Sequence, residues 1–207
     1  MKGIFHRAIT EQALRPVFSP VALEAIVQAN LGQDALRYQF GSHDHFHYDN
    51  SAFSAGDNYL REQHQLVLDA LQTDQAASLA HSAFGRLTHT AQDFYAHSNY
   101  VSLWREQNPG SGPQAIDPLQ PELLHDPRLC SGQIYAPLEY LSFFPALKPL
   151  VLPRLPRDSH AWMNKDDPSR PDFDYAYAAA VQRTALELET LRRELAPLHF
   201  PRFTGQT

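Results

Sequence analysis

The sequence predicts an all-α protein, a single helical domain with long proline-rich loops. Apolar residues recur at helical spacing in several segments, whereas no two segments read as a convincing strand pair. There is also no internal repeat or low-complexity tract. The 207 residues, 43% of them hydrophobic and 19% charged, are enough for one core without disulfide bonds. We therefore expect residues 1–207 to form one domain.

Residues that start or stop helices set the bounds of the predicted elements. The first helix covers residues 7–15 and ends at Pro16. Ser19 as N-cap and Pro20 at the first helical position predict the start of the second helix. Residues 35–58 are polar and punctuated by glycine, so we expect mostly loop there. Periodic apolar residues predict the remaining long helices over 57–73, 74–99 and about 172–195.

A proline-rich segment, at about 108–157, is expected to wrap the surface with short helical pieces. It contains the apolar run "LEYLSFFPALKPLVLP", residues 138–153. Such a run is typical of a membrane-contact surface, a lid or a piece of core. We favour core, because most apolar runs are buried.

Charge and termini limit the partners and the location of the protein. The formal net charge is -6 and no long basic run occurs, which argues against double-stranded nucleic acid as a partner. No stretch approaches the ~18 apolar residues of a transmembrane helix, and no secretory signal peptide is visible. These features predict a cytoplasmic protein, or one exported without a cleavable signal. A single cysteine, Cys130, excludes an internal disulfide bond and a multi-cysteine zinc site. The oligomeric state is left open.

The segment "GRLTHTAQDFYAHSNY", residues 85–100, places His89, Asp93 and His97 four residues apart. On a helix they lie on one face and span ~12 Å, which is too far for one metal ion. Two ions ~4 Å apart, with Asp93 between them, fit the spacing. Alternatively these are ordinary polar residues on a solvated face. However, Arg86 is the only other charged residue between 82 and 104, so we expect a buried helix whose polar groups need partners.

Further candidate ligands lie in four segments outside this helix. Each also has an ordinary structural interpretation, such as a surface aspartate, a polar loop or an aspartate that favours a helix N-terminus. The candidates are His6 near the start, Asp34 after the second helix, His47 or His45 in "GSHDHFHYDN" (which also offers Asp44 and Asp49), and His160 with Asp166 or Asp167 in "RDSHAWMNKDDPSR".

Five motifs occur in a fixed order over roughly residues 4–190: "FHRAITEQAL", "ANLGQD", "HYDN", "GRLTHTAQDFYAHSNY" and "SHAWMNKD". In this combination the sequence resembles the zinc-dependent phospholipase C and single-strand nuclease superfamily. It is most similar to the heterokaryon-incompatibility C-like branch. The resemblance implies the helical fold of that superfamily, zinc ions in a cleft and hydrolysis of phosphoric esters.

The resemblance also implies roles for individual residues. It implies one zinc on Asp34, His47, His89 and Asp93; a second on His97, His160 and Asp166; and a third on His6, Asp93 and the amino group and carbonyl of Met1. A site with two zinc ions stays open. Asp34 would also be the general base for the attacking water. Tyr48, Tyr95 and Trp162 lie near the ligands in sequence and are candidates for substrate binding.

The expected function is therefore hydrolysis of glycerophospholipids by a zinc-dependent phospholipase C, with two or three Zn²⁺ per chain. Zinc suits imidazole and carboxylate ligands, acidifies water and neutralises charge on a phosphoryl group. Such an enzyme would contact a membrane surface transiently. One alternative is a single-strand nuclease or 3'-nucleotidase. Another is a non-catalytic, zinc-stabilised toxin or interaction domain, although the number of candidate ligands exceeds a closed structural site.

Overall fold

Helices dominate the part of the chain that the computed structural model describes, residues 1–35, 38, 43–73, 76–144 and 146–206. In chain order they are α1 (Gly3–Leu14), α2 (Pro20–Leu31), α3 (Asp44–His47), α4 (Phe53–Gln72), α5 (Ala77–His97), α6 (Tyr100–Gln107), α7 (Pro121–Leu124), α8 (Leu138–Ser142), α9 (Lys148–Val151), α10 (His160–Met163), α11 (Phe173–Glu194) and α12 (His199–Thr204). Short 3₁₀ turns cover Gly32–Asp34, Asp49–Ser51, Pro113–Ala115 and Leu152–Arg154. Within these ranges no β-strand forms, so the predicted all-α class is confirmed.

Helix α5 runs through the middle of the domain. It packs against α2, α4 and α11, while α1 packs against α2 and α11. Every residue from Leu87 to Ser98 is buried, which is the environment of a helix enclosed on all sides. The prediction of a buried helix is therefore confirmed. Most polar side chains on this stretch are shielded from bulk water and must find partners inside the protein.

Gly85 allows α2 and α5 to approach closely. A Cβ atom at this position would lie 2.7 Å from the Cβ of Ala29 and would collide with the carbonyl oxygen of Ile26. Around this contact the core is filled by large, fully buried side chains such as Phe84 and Leu71. Leu79 is 52% exposed, because it lies in the first turn of α5, before the enclosed stretch.

The predicted start of α2 is confirmed, because Ser19 caps the helix through a hydrogen bond from the Ala22 amide (3.3 Å) and Pro20 is its first residue. Two helices begin earlier than predicted, α1 at Gly3 and α4 at Phe53. The interpretation of 35–58 as mostly loop is therefore only partly right, since α3 also lies there. Residues 36, 37, 39–42, 74 and 75, on which parts of these predictions fall, are outside the described residues.

The proline-rich segment wraps the surface with short helices, as predicted. The interpretation of 138–153 as core is wrong. Only a few of its side chains turn inward, among them Glu139, Ser142 and Val151, whereas most of its leucines and phenylalanines face outward. Proline repeatedly interrupts the helices, so each piece is too short to bury an entire apolar face. None of the described helices is both long enough and apolar enough to cross a membrane.

Candidate metal centre

His89, Asp93 and His97 share one face of α5 and are all buried, two of them with no exposed surface. The two carboxylate oxygens of Asp93 face different partners. Oδ1 lies 3.1 Å from Nε2 of His6, and it also accepts a hydrogen bond from the amino group of Met1. Oδ2 faces the other way, toward two further ring nitrogens. Asp93 therefore connects two groups of possible metal ligands.

The first group surrounds Oδ2 of Asp93. This oxygen lies 2.9 Å from Nδ1 of His47 and 3.1 Å from Nε2 of His89. These two nitrogens are 3.2 Å apart, and Oδ1 of Asp34 lies 3.7 Å from His89 Nε2. Four donors at ~2.05 Å around a tetrahedral zinc ion are ~3.3 Å apart, so the observed separations suit one shared ion. The 3₁₀ turn after α2 supplies Asp34, and the end of α3 supplies His47.

His6 reaches the centre from α1. Its Nδ1 atom is hydrogen-bonded to Oε1 of Gln92 (2.6 Å), and its ring stacks on that of His89 with centroids 4.2 Å apart. Its Nε2 atom makes no hydrogen bond, although it lies close to Asp93. One ligand atom each from His6, Asp34, His89 and Asp93 lies within 4.8 Å of all the others. The structure thus brings an N-terminal residue and two distant segments to the same carboxylate.

The second group surrounds His97. Its Nε2 atom lies 3.3 Å from Oδ1 of Asp166 and 3.2 Å from the Met1 amino nitrogen. His160 is adjacent, with its ring centroid 4.4 Å from that of His97. The structure adds Asp49, whose Oδ1 lies 2.7 Å from His160 Nδ1 and 3.7 Å from His97 Nδ1. Asp49 is either a ligand or the carboxylate that orients His160.

Sequence reasoning did not select Asp49 as a site residue. It belongs to the loop "GSHDHFHYDN", whose clustered histidines were the signal, and it stands two residues after His47. The 3₁₀ turn Asp49–Ser51 directs its carboxylate inward, where it is 7% exposed. Two residues of this turn, Asn50 and Ser51, have left-handed φ angles of 53°. Such a local conformation is not visible in the residue pattern.

Several buried ring nitrogens of the group lack a hydrogen-bond partner among the described residues: His6 Nε2, His47 Nε2 and His89 Nδ1. A buried polar atom left without a partner costs about 1–3 kcal/mol. The cluster also holds several carboxylates close to one another, which repel when ionised. A bound cation offsets both costs at His6 Nε2 and the neighbouring carboxylates. The donor set thus fits metal binding on physical grounds.

Electrostatics favour the metal-binding forms of His89 and Asp93 but oppose that of His160. Burial and the nearby His6 lower the pKa of His89 to about 4, so its ring is neutral at neutral pH. Burial opposes ionisation of Asp93, but the Met1 amino group and His97 outweigh it and hold the pKa of this carboxyl well below its usual range. Burial also disfavours a charged His160, yet the Asp49 carboxylate raises its pKa to about 9. A metal ion held by His160 would therefore have to displace its proton.

A cavity of about 90 Å³ opens onto this centre, with room for several water molecules. Its described lining includes candidate ligands of both groups together with three aromatic side chains, Tyr38, Tyr140 and Phe143. Neither lysine nor arginine occurs among the lining residues that the structure describes, whereas aspartates do. An anionic group therefore enters favourably only if bound cations reverse the sign of the potential.

The family model described as the VWA7 N-terminal domain matches residues 4–111, just over half of the chain. The chain belongs to this family. The expected membership of the phospholipase C and single-strand nuclease superfamily, with its heterokaryon-incompatibility C-like branch, is wrong. The motifs that suggested it are mainly spacings of histidine and aspartate residues, and residues that share one helix face have such spacings in unrelated proteins. No curated protein and no solved structure matches the chain significantly.

The part that matches the VWA7 N-terminal domain contains one complete half of the centre. Six candidate ligands fall within residues 4–111: His6, Asp34, His47, His89, Asp93 and His97. His160 and Asp166 lie beyond the match, on α10 and directly after it. The centre is therefore assembled from the matched region and the segment that precedes α11.

Two alternative ligands lie away from the centre. The ring of His45 packs against those of Phe46 and Tyr59, at centroid distances of 4.3 and 5.5 Å. Asp167 forms an ion pair with Lys2 and accepts a hydrogen bond from the Ser169 amide (2.9 Å). Among the alternatives weighed from the sequence, the structure brings His47 and Asp166 to the centre.

The three aromatic residues considered for substrate binding do not line the cavity. Tyr48 and Tyr95 are buried in the core, where their hydroxyl groups donate hydrogen bonds to Asp57 (2.7 Å) and to the carbonyl of Pro118 (2.6 Å). The indole of Trp162 donates to the carbonyl of Leu152 (3.0 Å). These residues are close to the candidate ligands in sequence but do not reach the cavity, because most side chains near a buried helix pack into the core.

Proposed function

We propose that the chain is a divalent-metal-dependent hydrolase of phosphoric esters that uses two or three Zn²⁺ ions. The observation that carries the proposal is the position of Asp93, whose Oδ1 and Oδ2 face two different sets of ring nitrogens. In enzymes with two-metal sites the ions lie ~3.5–4 Å apart and clamp the attacking and leaving oxygens of an in-line displacement. A carboxylate that faces donors on both sides suits such a pair.

Zinc is the metal that these donors suit best. The group combines histidine nitrogens with aspartate oxygens, which is a frequent zinc ligand set, whereas Mg²⁺ and Ca²⁺ prefer oxygen alone. Hydrogen bonds at Nδ1 fix two of the rings. Nδ1 of His97 is bonded to the carbonyl of His47 (2.9 Å), and Nδ1 of His160 is bonded to the carboxylate of Asp49 (2.7 Å). Such partners fix the tautomer and orientation of a metal-binding histidine.

When bound, zinc polarises a phosphoryl oxygen and makes a nearby water more acidic. Asp34 is placed to accept a proton from that water, because it lines the cavity and its side chain is 30% exposed. The water oxygen attacks phosphorus while the phosphorus–oxygen bond to the alcohol breaks. The alcohol leaves with one proton, and the phosphate keeps the new oxygen. The proton that Asp34 accepts from the water supplies the one that the alcohol carries away, directly or through solvent.

The proposal covers phosphoric esters as a class. The expected preference for glycerophospholipids depended on the superfamily resemblance, which the family match overturns. Phosphodiesters of lipids and of single-stranded nucleic acid both remain within the class. The acidic cavity supports an anionic substrate over a neutral peptide, since the cations that neutralise the aspartates then bind a phosphoryl group.

A non-catalytic, metal-stabilised domain is the competing function. The complete burial of His6, His89 and Asp93 is the observation in its favour, because structural zinc sites are closed. The second group argues against it. His97 and His160 line an open cavity, and a closed structural site needs only four ligands.

Hydrolysis of bis(p-nitrophenyl) phosphate by the zinc-loaded protein tests the proposal. We expect turnover that chelation abolishes and zinc restores, and that Asp93→Asn removes. Asp174→Asn is the control, since this aspartate is exposed on α11 and does not line the cavity. Zinc-loaded wild-type protein without turnover on this substrate or on p-nitrophenyl phosphate would favour the non-catalytic function.

A further inference from the structure

The segment of residues 135–153 presents an apolar surface to solvent, here called the 135–153 surface. Every exposed residue that the structure describes in this range is alanine, proline, leucine, phenylalanine or tyrosine. Leu150 is 63% exposed and Phe144 is 59% exposed. Single exposed apolar residues are ordinary, but a continuous apolar patch marks a contact surface.

The exposed side chains follow a regular order along this surface. Leu138, Leu141, Phe144, Leu147 and Leu150 recur at every third position, through α8 and into α9. Leu138 and Leu141 are neighbours on α8 and Leu150 lies on α9, whereas Phe144 and Leu147 lie between the two helices. These five exposed residues are here called the stripe. The opposite side of the same segment packs inward and anchors it to the domain.

The charged residues nearest to the stripe along the chain are mostly basic. The acidic residue of α8, Glu139, is fully buried and accepts a hydrogen bond from the amide of Ala161 (2.6 Å). Lys148, Arg154 and Arg157 border the stripe in sequence. The nearest exposed acid along the chain, Asp158, accepts a hydrogen bond from the Tyr135 hydroxyl (3.0 Å). Apolar residues flanked by basic ones are typical of segments that lie in a membrane interface.

The 135–153 surface continues directly into the cavity of the candidate metal centre. Tyr140 and Phe143 belong to the segment and also line the cavity. The ring of Phe143 is 39% exposed, and its centroid lies 6.0 Å from that of His160. A molecule that covers this surface can therefore reach the candidate ligands in the cavity.

We propose that the 135–153 surface docks on a phospholipid membrane and that phospholipids are the substrate class of the adjoining centre. The substrate class rests on the proposed function. The membrane docking rests only on the 135–153 surface. A phospholipid joins a phosphoric ester to apolar chains in one molecule, which matches a metal centre continuous with an apolar stripe. A protein partner on the same stripe would cover Phe143 and close the cavity.

The first test is co-sedimentation of the full chain with vesicles of phosphatidylcholine, alone or mixed with phosphatidylserine. We expect wild-type protein to bind, and Leu147→Asp/Leu150→Asp to bind roughly tenfold more weakly, because two leucines no longer enter the interface. The matched control is Leu66→Asp/Leu198→Asp, which changes leucines that are 47% and 72% exposed, on α4 and directly before α12. The control should bind vesicles like wild type.

Hydrolysis separates failure of docking from failure of the proposed function. The Leu147→Asp/Leu150→Asp variant should hydrolyse bis(p-nitrophenyl) phosphate at the wild-type rate but vesicle phospholipid at roughly a tenth of it. If the protein bound vesicles but hydrolysed no ester, the docking proposal would stand and the proposed enzymatic function would be refuted. The docking proposal would be overturned if the wild-type protein did not bind vesicles, or if the variant bound them as well as wild type. It would also be overturned if the wild-type protein were a dimer that the double substitution dissociates.

Discussion

The Nδ1 atom of His6 lies 2.6 Å from the side-chain oxygen of Gln92. The amide nitrogen of Gln92 donates hydrogen bonds to the hydroxyl oxygens of Thr10 (3.0 Å) and Thr184 (3.1 Å), which fixes the orientation of the amide. Its oxygen is therefore the acceptor, and His6 carries its proton on Nδ1. The lone pair of Nε2 is left facing Asp93, as a metal ligand requires.

Removing this acceptor should weaken metal binding. For Gln92→Leu we expect zinc affinity to fall by roughly 10- to 100-fold, because His6 loses the partner that fixes its tautomer. Competition with a chelating dye measures the affinity. Thr184→Val is the matched control, since it removes only one of the two acceptors of the Gln92 amide, and its loss should be smaller. Equal affinity of Gln92→Leu and wild type would refute the orienting role.

Asp93 should control more than one metal ion. Because its two oxygens face separate groups, Asp93→Asn should lower the zinc content by more than one ion per chain, whereas His6→Ala should lower it by about one. Elemental analysis, with circular dichroism to verify folding, measures the difference. Loss of a single ion in both variants would mean that Asp93 does not connect two ions.

Asp34→Asn should separate binding from turnover. Its carboxylate is partly exposed at the cavity and is more distant from His89 than that of Asp93 is (3.7 against 3.1 Å). We expect zinc content to change little and the rate of ester hydrolysis to fall about 10²- to 10⁴-fold, as for loss of a general base. Asp44→Asn, in the same cavity wall, is the control and should retain most activity. Wild-type turnover in Asp34→Asn would exclude Asp34 as the base.

Metal removal should destabilise the fold. Without cations at the centre, the buried carboxylates and the Nε2 atom of His6 are uncompensated. Zinc at 100 times its dissociation constant stabilises a one-site protein by ~2.7 kcal/mol, so chelation should lower the midpoint of thermal unfolding measurably. Scans with EDTA, and with zinc added back, test this. An unchanged midpoint would indicate that the centre holds no metal under these conditions.

Gly85→Ala should destabilise the protein by ~1–3 kcal/mol, because the added methyl group overpacks the contact between α2 and α5. Urea denaturation measures the change in the free energy of unfolding. Gly32→Ala is the control, since a Cβ atom there meets nothing within 4 Å. Similar stability of the two variants would show that the helices separate easily at Gly85.

Local geometry decided which parts of the centre the sequence could predict. The common face of His89, Asp93 and His97 follows from helix periodicity alone, and the near absence of charge around them indicated burial. The meeting of His6 with Asp93, 87 positions later in the chain, depends on how α1 packs, which residue spacing does not encode. Asp49 was not selected because its direction depends on left-handed residues in a 3₁₀ turn.

The apolar run 138–153 shows the limit of composition as a guide. Hydrophobicity predicted burial, but the direction of a side chain depends on where proline breaks each helix and on what the inner face contacts. Glu139 turns inward to bond the backbone of α10, and the leucines beside it consequently face solvent. A charged residue thus lies inside while its apolar neighbours lie outside.

Elemental analysis of protein purified without chelators or an affinity tag tests the central claim most directly. Our account predicts two or three zinc ions per chain, because Asp93 joins two groups of ligands. Zero or one ion per chain, even after incubation with zinc, would contradict it and would assign His89, Asp93 and His97 to the stability of α5 alone.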